Sequence, residues 1–551
     1  MKKLHLRSIS STLSSAFIYG MTLGLAFNAP LYAQTIRINE QSTPLDHLRA
    51  MPRPKFKSGA RLLLPLSQSN CGVHRDIHIE LANNWGYGLL VNKASLHELA
   101  KANPGRYKLI ADIGSLYIYY LNYKGENLKL PILPQNTWLR DASKNVILDG
   151  NSPIVNPAAP EETFRVIGDH IGTQLSELER FTGQPIRMIF NGGESGIPVI
   201  GEKNVSEYYG RDPDVLANFN SSGLPGWYEY ISSSKARHER LIKERIFSNL
   251  QSQSRPFYSL YQEQYGTERG RWWGWKRYIF LYEYFLNSYG KPAVSDYTAP
   301  EMYFSFHNSG WTGVHSGSLV PWDALTQALN NVSGSIRLGQ KFSYPWVSMG
   351  WEGSKISNSK EFMGMMKAYY TAGAIGSVGG YFVCDGPIFR AIYHNTAIGS
   401  ATPTIIKQYA VLGHVHALFS HLEEYLRDGD LLPGPNLHPY KDTTQTLPAM
   451  EFPVDGETQQ IEARPGIFVT VPTARVVARK IRGQDRWLVT AWANVGEDRN
   501  IRVKIDNKLG TLTLRARKAG AVYVIRLVNG QIQRTLIDTD AMHPTKFLSS
   551  L

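Results

Sequence analysis

Two glutamates follow apolar stretches of the sequence, and each has glycine beside it. Glu194 ends "PIRMIFNGGE" (185–194), and Glu352 lies within "YPWVSMGWEG" (344–353). Two carboxyl groups on either side of a bond can act as proton donor and as nucleophile or base, if one is protonated while the other is ionised. The glycines would let backbone and ligand approach closely. Taken alone, each glutamate is also consistent with a carboxylate on a surface loop.

Further polar and aromatic side chains lie at or near the ends of other apolar stretches and could bind a ligand. Indole rings stack on the apolar faces of sugars, and arginine pairs with carboxylate or sulfate groups. The alternatives are that the aromatic rings fill space between structural layers, and that Asp385 and Arg390 form a structural ion pair. The candidates are Asn191, His74, Trp85, Asp112, Trp272, Tyr303, His307, Trp351, Asp385 and Arg390.

The elements that would position these groups alternate between strands and helices. Such alternation predicts a parallel sheet in an α/β fold. Eight strand–helix units over about 370 residues fit a (β/α)8 barrel, whose functional groups lie at the C-terminal ends of the strands. A doubly wound open sheet is the competitor, disfavoured because no glycine-rich phosphate loop follows the first strand. The strand candidates are 61–66, 85–92, 108–114, 186–193, 256–262, 302–307 (or 293–298), 344–353 and 378–386.

Helix candidates fill most of the intervals between these strands. A short helix is expected within 93–102, and longer ones follow further along the chain. The longer candidates are 161–181, 224–252, 275–290, 321–331, 359–373 and 402–426.

The sequence changes character after Pro433, where short β-type runs separated by polar turns predict a small antiparallel β-sandwich. The predicted organisation is therefore a signal peptide, an extended segment, the barrel, and a linker with the sandwich. Their bounds are 1–33, 34–58, 59–432 and 433–551.

The N-terminal segment has the pattern of a secretory signal. Lys2, Lys3 and Arg7 precede an apolar stretch over 16–27, and Ala33 is a plausible cleavage point. This pattern predicts a periplasmic or secreted protein. No later segment is long and apolar enough to span a membrane.

The chain of 551 residues is 42% hydrophobic and 19% charged, a globular composition, and has a formal net charge of +13. Removing the three positive residues of the N-terminal segment leaves +10. That excess favours an anionic partner such as an acidic polysaccharide, although a basic protein without such a partner is the alternative. The sequence has no dense Lys/Arg tract, so no nucleic-acid partner is expected.

The cysteines and histidines limit which metal sites and disulfides the chain can form. Cys71 and Cys384, the only cysteines, are too few for a cysteine-based zinc site. In a closed barrel they would follow neighbouring strands, so a disulfide between them is as reasonable as two separate buried thiols. His414, His416 and His421 have helical spacings that do not share one face. We therefore expect no metal site and no cofactor.

The positions of the two glutamates, on the fourth and seventh strand candidates, resemble the pattern of the clan A retaining glycoside hydrolases. The resemblance implies a TIM barrel in which Glu194 is the acid/base and Glu352 the nucleophile, acting on a polysaccharide. A C-terminal β-sandwich is common in that clan. Two other functions remain open from the residues. One is a non-catalytic carbohydrate-binding or envelope protein on a barrel scaffold, and the other is a polysaccharide lyase that uses His307 with Tyr303.

Overall fold

The predicted α/β fold with a parallel sheet is confirmed. Seven of the apolar stretches pair in parallel, in the order β1-β2-β5-β6-β7-β8-β9. Each strand of this sheet lies beside the one that precedes it in the sequence, without the reversal of order that defines a doubly wound sheet. The strands are β1 (Leu89–Leu90), β2 (Leu109–Asp112), β5 (Ile186–Asn191), β6 (Phe257–Gln262), β7 (Tyr297–Tyr303), β8 (Trp346–Ser348) and β9 (Gly379–Tyr381).

The structure is a computed structural model, and the described residues belong to one compact unit, Ile38–Leu551. Within the described part of the chain, no helix is long and apolar enough to cross a membrane. The described residues are 42–60, 62–67, 73–91, 94–113, 133–149, 152–191, 202–252, 255–262, 294–303, 325, 326, 329, 332, 342–348, 358–376, 379–381, 386–397, 399, 401–436, 449–464 and 467–537.

The apolar segment before β1 contacts both ends of this sheet. Leu66 forms a parallel bridge with Tyr87, just before β1. On the other side, Tyr344 lies two residues before β8, and its hydroxyl donates a hydrogen bond to the Pro65 carbonyl. A Cβ at Gly376, three residues before β9, would lie 3.3 Å from the carbonyl oxygen of Leu64. The predicted first strand therefore lies between the first and last parts of the sheet.

The helices occupy the connections between strands. They are α1 (Pro44–Ala50), α2 (Arg75–Asn84), α3 (Ala94–Ala102), α4 (Glu161–Thr182), α5 (Glu202–Tyr209), α6 (Pro213–Ser221), α7 (Trp227–Asn249), α8 (Ser359–Ala372), α9 (Gly386–His394), α10 (Ala401–Ser420) and α11 (Glu423–Asp428). Residues 325, 326, 329 and 332 are also helical, and the helix predicted for 275–290 lies outside the described residues.

Helices α4 and α7 pack closely because α4 presents glycines to its neighbour. A Cβ at Gly168 would lie 2.8 Å from the carbonyl oxygen of Ile242, so a larger residue would push the helices apart. Beside this contact, Arg245 forms two hydrogen bonds with the Asp169 carboxylate, of 2.7 and 2.8 Å. The close approach fixes α7, which carries the buried charges described below.

Two helix predictions need correction. Part of the segment 34–58, predicted to be extended, is helix α1. Thr43 Oγ1 accepts a hydrogen bond from the Asp46 N–H, and the Asp46 carboxylate accepts one from the Thr43 N–H. The single helix predicted over 402–426 is interrupted, because His421 N–H donates to the Leu418 carbonyl three residues back, which tightens and ends the turn.

Residues 429–537 build the C-terminal region from antiparallel strands. Residues of its five-stranded and three-stranded sheets, including Val489 and Ile525 of one and Ile501 and Leu514 of the other, share a hydrophobic core. The strands are β10 (Gly429–Leu431), β11 (Val454–Asp455), β12 (Thr458–Arg464), β13 (Ile467–Pro472), β14 (Arg475–Ile481), β15 (Arg486–Trp492), β16 (Arg499–Val503), β17 (Leu512–Ala516), β18 (Ala521–Val528) and β19 (Gln531–Leu536).

A small hairpin, β3 (Leu148–Asp149) with β4 (Ser152–Pro153), lies between β2 and α4. Strand β10 pairs with β14, so residues 429–431 belong to the C-terminal sheet rather than to the predicted barrel segment 59–432.

A buried arginine joins the C-terminal sheet to two helices. Arg479 of β14 is 2% exposed, and its guanidinium donates only to backbone carbonyls among the described residues. The acceptors include Ala372, which ends α8, and Gly429, which follows α11. Such carbonyls have no partner within their own helix, and helix C-termini favour a cation. Desolvation lowers the pKa of Arg479 to about 10, so the side chain stays charged at neutral pH.

We expect Arg479→Met to lower the free energy of unfolding by about 3 kcal/mol, because several buried carbonyls lose their donor. Arg482→Met is the matched control. Arg482 is exposed and pairs with Asp430 at 2.7 Å, a contact worth about 1 kcal/mol or less. Urea unfolding of both variants would measure the difference, and equal losses of stability would contradict this role for Arg479.

Candidate functional site

Several predicted site residues end neighbouring strands at one edge of the parallel sheet. Asp112 ends β2 and is level with Phe190 of β5, and Asn191 is the next residue. At the other side of the sheet, Tyr303 ends β7 and is level with Ser348, which ends β8. Because all strands run in the same direction, these positions define one C-terminal edge.

The two glutamates expected to do chemistry follow this edge in the sequence. Glu194 comes three residues after Asn191, and Glu352 comes four residues after Ser348. Both lie outside the described residues and stay predictions. The same holds for Trp272, His307, Trp351, Asp385 and the cysteines Cys71 and Cys384.

The side chain of Asn191 belongs to a buried polar cluster that the sequence did not reveal. Its amide Nδ2 lies 3.1 and 3.2 Å from the two carboxylate oxygens of Glu239, on helix α7. The ammonium of Lys235, one turn earlier on that helix, lies 2.6 Å from Glu239 Oε1, and the Tyr258 hydroxyl donates to Oε2 at 3.2 Å. The cluster therefore ties the last residue of β5 to the helix layer, through a carboxylate that is fully buried.

The cluster compensates its own buried charge. A carboxylate removed from water is costly unless it is paired and hydrogen-bonded, and Glu239 has one ammonium and two neutral donors. His238, the neighbouring residue, stacks on Phe164 at a centroid distance of 3.7 Å. Burial, reinforced by the nearby Arg237 guanidinium, holds the pKa of His238 well below its usual value, so its imidazole is neutral. Lys235 and Glu239 thus balance each other's charge, and His238 adds none.

The sequence contains the spacing of this ion pair, but that spacing usually indicates a pair on the protein surface. Lys235 and Glu239 are four residues apart on a helix, a spacing that is typical of ion pairs on a solvated helix face. Their burial comes from packing against the sheet, where Glu239 meets Asn191 of β5 and Tyr258 of β6. The placement of Asn191 also differs from the predicted ligand contact, since its side chain is 2% exposed and bonded within the protein.

Two more of the predicted site residues lie near each other. His74 precedes α2, where its Nδ1 accepts a hydrogen bond from the Asp76 N–H. The His74 N–H donates to the Ile392 carbonyl of α9, the helix that carries the exposed Arg390. The segment after the predicted first strand therefore contacts the helix that follows β9.

Trp85 is a core residue, which corrects its predicted place beside a ligand. It precedes β1 and so lies at the N-terminal edge of the sheet, opposite the C-terminal edge defined above. Its side chain is fully buried. Its ring lies edge-on to His414 of α10, with centroids 5.7 Å apart. Desolvation lowers the pKa of His414 to about 4, so this histidine is a neutral packing residue at pH 7. Among the described residues, no group of His, Cys, Asp and Glu is arranged to hold a metal ion.

Comparisons with known proteins identify no family. No family model matches the chain, and no curated protein matches it. Among solved structures, an α-amylase from Geobacillus thermoleovorans is 12% identical, with a TM-score of 0.33 over 80% of this chain and 79% of its own. Endo-glycoceramidase II from Rhodococcus sp. is 10% identical, with a TM-score of 0.31 over 85% and 97%. Likenesses of this size transfer neither the fold nor the activity of those enzymes to this chain.

We expect Glu239→Gln to lower the free energy of unfolding by about 3 kcal/mol, because it leaves the Lys235 ammonium buried without its carboxylate. Glu244→Gln is the control, since Glu244 is exposed on the same helix. Chemical denaturation would measure both. A Glu239→Gln variant as stable as the Glu244→Gln variant would show that the pair does not anchor α7 to the sheet.

Proposed function

We propose that this protein is a retaining glycoside hydrolase, with Glu194 as acid/base and Glu352 as nucleophile. One observation carries the proposal. Counted from the segment 62–66, the strands that precede the two glutamates are the fourth and the seventh, and both end at the same edge of the sheet. That placement suits a pair of carboxyl groups acting from two sides on one glycosidic bond.

We further infer that the sheet closes into a (β/α)8 barrel. The bridge from Leu66 to Tyr87, the bond from Tyr344 to Pro65, and the approach of Gly376 to Leu64 all support an eighth strand that links the two sides of the sheet. The contact of His74 with α9 supports the same closure on the helix side. A closed barrel brings the ends of strands four and seven to one mouth.

The buried cluster at the end of β5 favours this use of Glu194. The Asn191 side chain is bonded to Glu239 of helix α7, so another residue beyond the strand end must supply the group that meets a ligand. The cluster of Asn191, Glu239 and Lys235 would then fix the strand end from which Glu194 extends.

The proposed reaction is a double displacement. The protonated Glu194 gives its proton to the leaving oxygen while the carboxylate of Glu352 attacks the anomeric carbon and forms a glycosyl-enzyme. Ionised Glu194 then takes a proton from water, and that water releases the sugar from Glu352 with net retention. The mechanism requires the two carboxyl groups to lie about 5 to 5.5 Å apart.

The finer features of the proposal rest on the sequence. The substrate is a polysaccharide, and the net charge of +10 without the N-terminal segment favours one that carries uronate or sulfate groups. Trp351 and Trp272 would stack on sugar rings, while His307, Asp385 and Arg390 would contact substrate hydroxyl or acidic groups. The protein would be exported through its N-terminal signal, and its C-terminal strands would form the β-sandwich.

We expect Glu352→Gln to reduce hydrolysis by about 1,000-fold or more, because no glycosyl-enzyme intermediate can form. Glu194→Gln should lose about 100-fold or more on unactivated glycans and much less on aryl glycosides whose leaving group needs no proton. Reducing-end release from a panel of neutral, uronate-containing and sulfated glycans would measure both effects.

Glu162→Gln, an exposed glutamate on α4, is the control and should keep full activity. A Glu352→Gln variant with wild-type activity would contradict the nucleophile assignment. If the wild-type protein binds one of the glycans without cleaving any of them, the non-catalytic alternative replaces this proposal.

A further inference from the structure

A cavity of about 570 Å³ opens at the edge of the sheet opposite the proposed active site. Its walls come from residues at the starts of three adjacent strands. Lys108 directly precedes β2, Arg187 is the second residue of β5, and Phe257 begins β6. The size suits a small-molecule ligand of a few rings. Nothing in the proposed hydrolysis uses this edge.

Positively charged residues line the cavity. Arg106, Lys108 and Arg187 contribute three positive charges, and no aspartate or glutamate is among the lining residues that the structure describes. Within the described residues, none of the three lies within ion-pair distance of a carboxylate. Desolvation lowers the pKa of Lys108; the Glu423 carboxylate opposes this change, and the Arg187 guanidinium adds a smaller lowering. Lys108 and Arg187 line the same cavity, so an anionic ligand there could contact both cations.

The walls also offer an apolar, partly aromatic surface. Phe257 is 39% exposed at this cavity, beside the buried Leu63 and Leu64. An exposed ring beside cations can receive the apolar face of a sugar while the cations bind its acidic groups. None of the described lining residues lies at a helix N-terminus, the usual cradle for a phosphate. These features favour a saccharide with carboxylate or sulfate groups over a phosphorylated ligand.

We propose that this cavity binds an anionic saccharide, with its acidic groups held by Lys108 and Arg187 and a ring face held against Phe257. Adjacent strands of a sheet are about 4.8 Å apart, so the two cations project from neighbouring backbones and suit acidic groups on one or two consecutive rings. The site would hold a chain end or a released oligosaccharide away from the strand ends that precede Glu194 and Glu352.

Calorimetric titration of the full-length protein tests the proposal. Its arms are a uronate trisaccharide, a sulfated trisaccharide, a neutral trisaccharide of the same length, inorganic sulfate and AMP. The Glu352→Gln variant serves as the background, so that no ligand is consumed. We expect one or both acidic trisaccharides to bind, and the neutral sugar, sulfate and AMP to bind at least about tenfold more weakly.

Lys108→Gln and Arg187→Gln should each weaken that binding about tenfold, since each removes one charge-assisted contact. Lys101→Gln is the control. Lys101 is an exposed lysine of α3 that lies over the Phe181 ring, outside the cavity, and its removal should change the affinity less than about twofold. Phe257→Ala should weaken binding of the trisaccharide and leave the weak binding of inorganic sulfate unchanged.

Several outcomes would overturn the proposal. These are no binding of either acidic trisaccharide, equal binding of the neutral one, tighter binding of AMP, or unchanged affinity in both Lys108→Gln and Arg187→Gln. Unchanged affinity in these variants would assign any observed binding to another site. Because the titration measures no hydrolysis, failure here leaves the proposed function standing, and loss of the hydrolase proposal leaves this binding measurable.

Discussion

The parallel direction of the sheet is the constraint on which the rest of the structure depends. Every strand of the sheet from β1 to β9 runs the same way and lies beside its predecessor in the sequence. Each connection must therefore cross back over the sheet, and each strand delivers the residue that follows it to the same edge. The sequence places acids after the fourth and seventh strands at this edge, and cations at the starts of strands on the opposite edge.

Two buried charges each join a helix to a sheet, and they do so in different ways. Glu239 meets an ammonium, an amide and a phenol, so it is a fully partnered ion at the end of β5. Arg479 meets only carbonyl oxygens among the described residues, at the ends of two helices, where partial negative charges replace a carboxylate. The first joins a strand to helix α7, and the second joins the C-terminal sheet to α8. Only Glu239 contacts the end of a strand of the parallel sheet, whereas Arg479 contacts the C-terminus of α8 and the residues around α11.

The sequence predicted the parallel sheet because its strands are short apolar runs bounded by glycine, proline or polar residues. The sixth strand lies between the two candidates, since Tyr297–Tyr303 overlaps the end of one and the start of the other. Helix α1 was missed although Thr43 and Asp46 form a capping box, because the prolines around it indicated extended chain. The Lys235–Glu239 pair was beyond prediction, since its spacing is the same in a solvated pair and only its contacts with strands β5 and β6 show that it is buried. Trp85 is the opposite error. The sequence suggested a ligand contact, and the structure places this aromatic residue in the core.

The central claim is that Glu352 forms a covalent bond with the sugar, and trapping of that intermediate tests it most directly. The protein would be incubated with activated 2-deoxy-2-fluoro glycosides that match the glycan it cleaves, and its mass and peptides would be measured. The account predicts a mass increase of one fluoroglycosyl unit, located on the peptide that contains Glu352 and absent from the Glu352→Gln variant. An adduct on another residue, or no adduct while the wild-type protein cleaves the matching glycan, would contradict it.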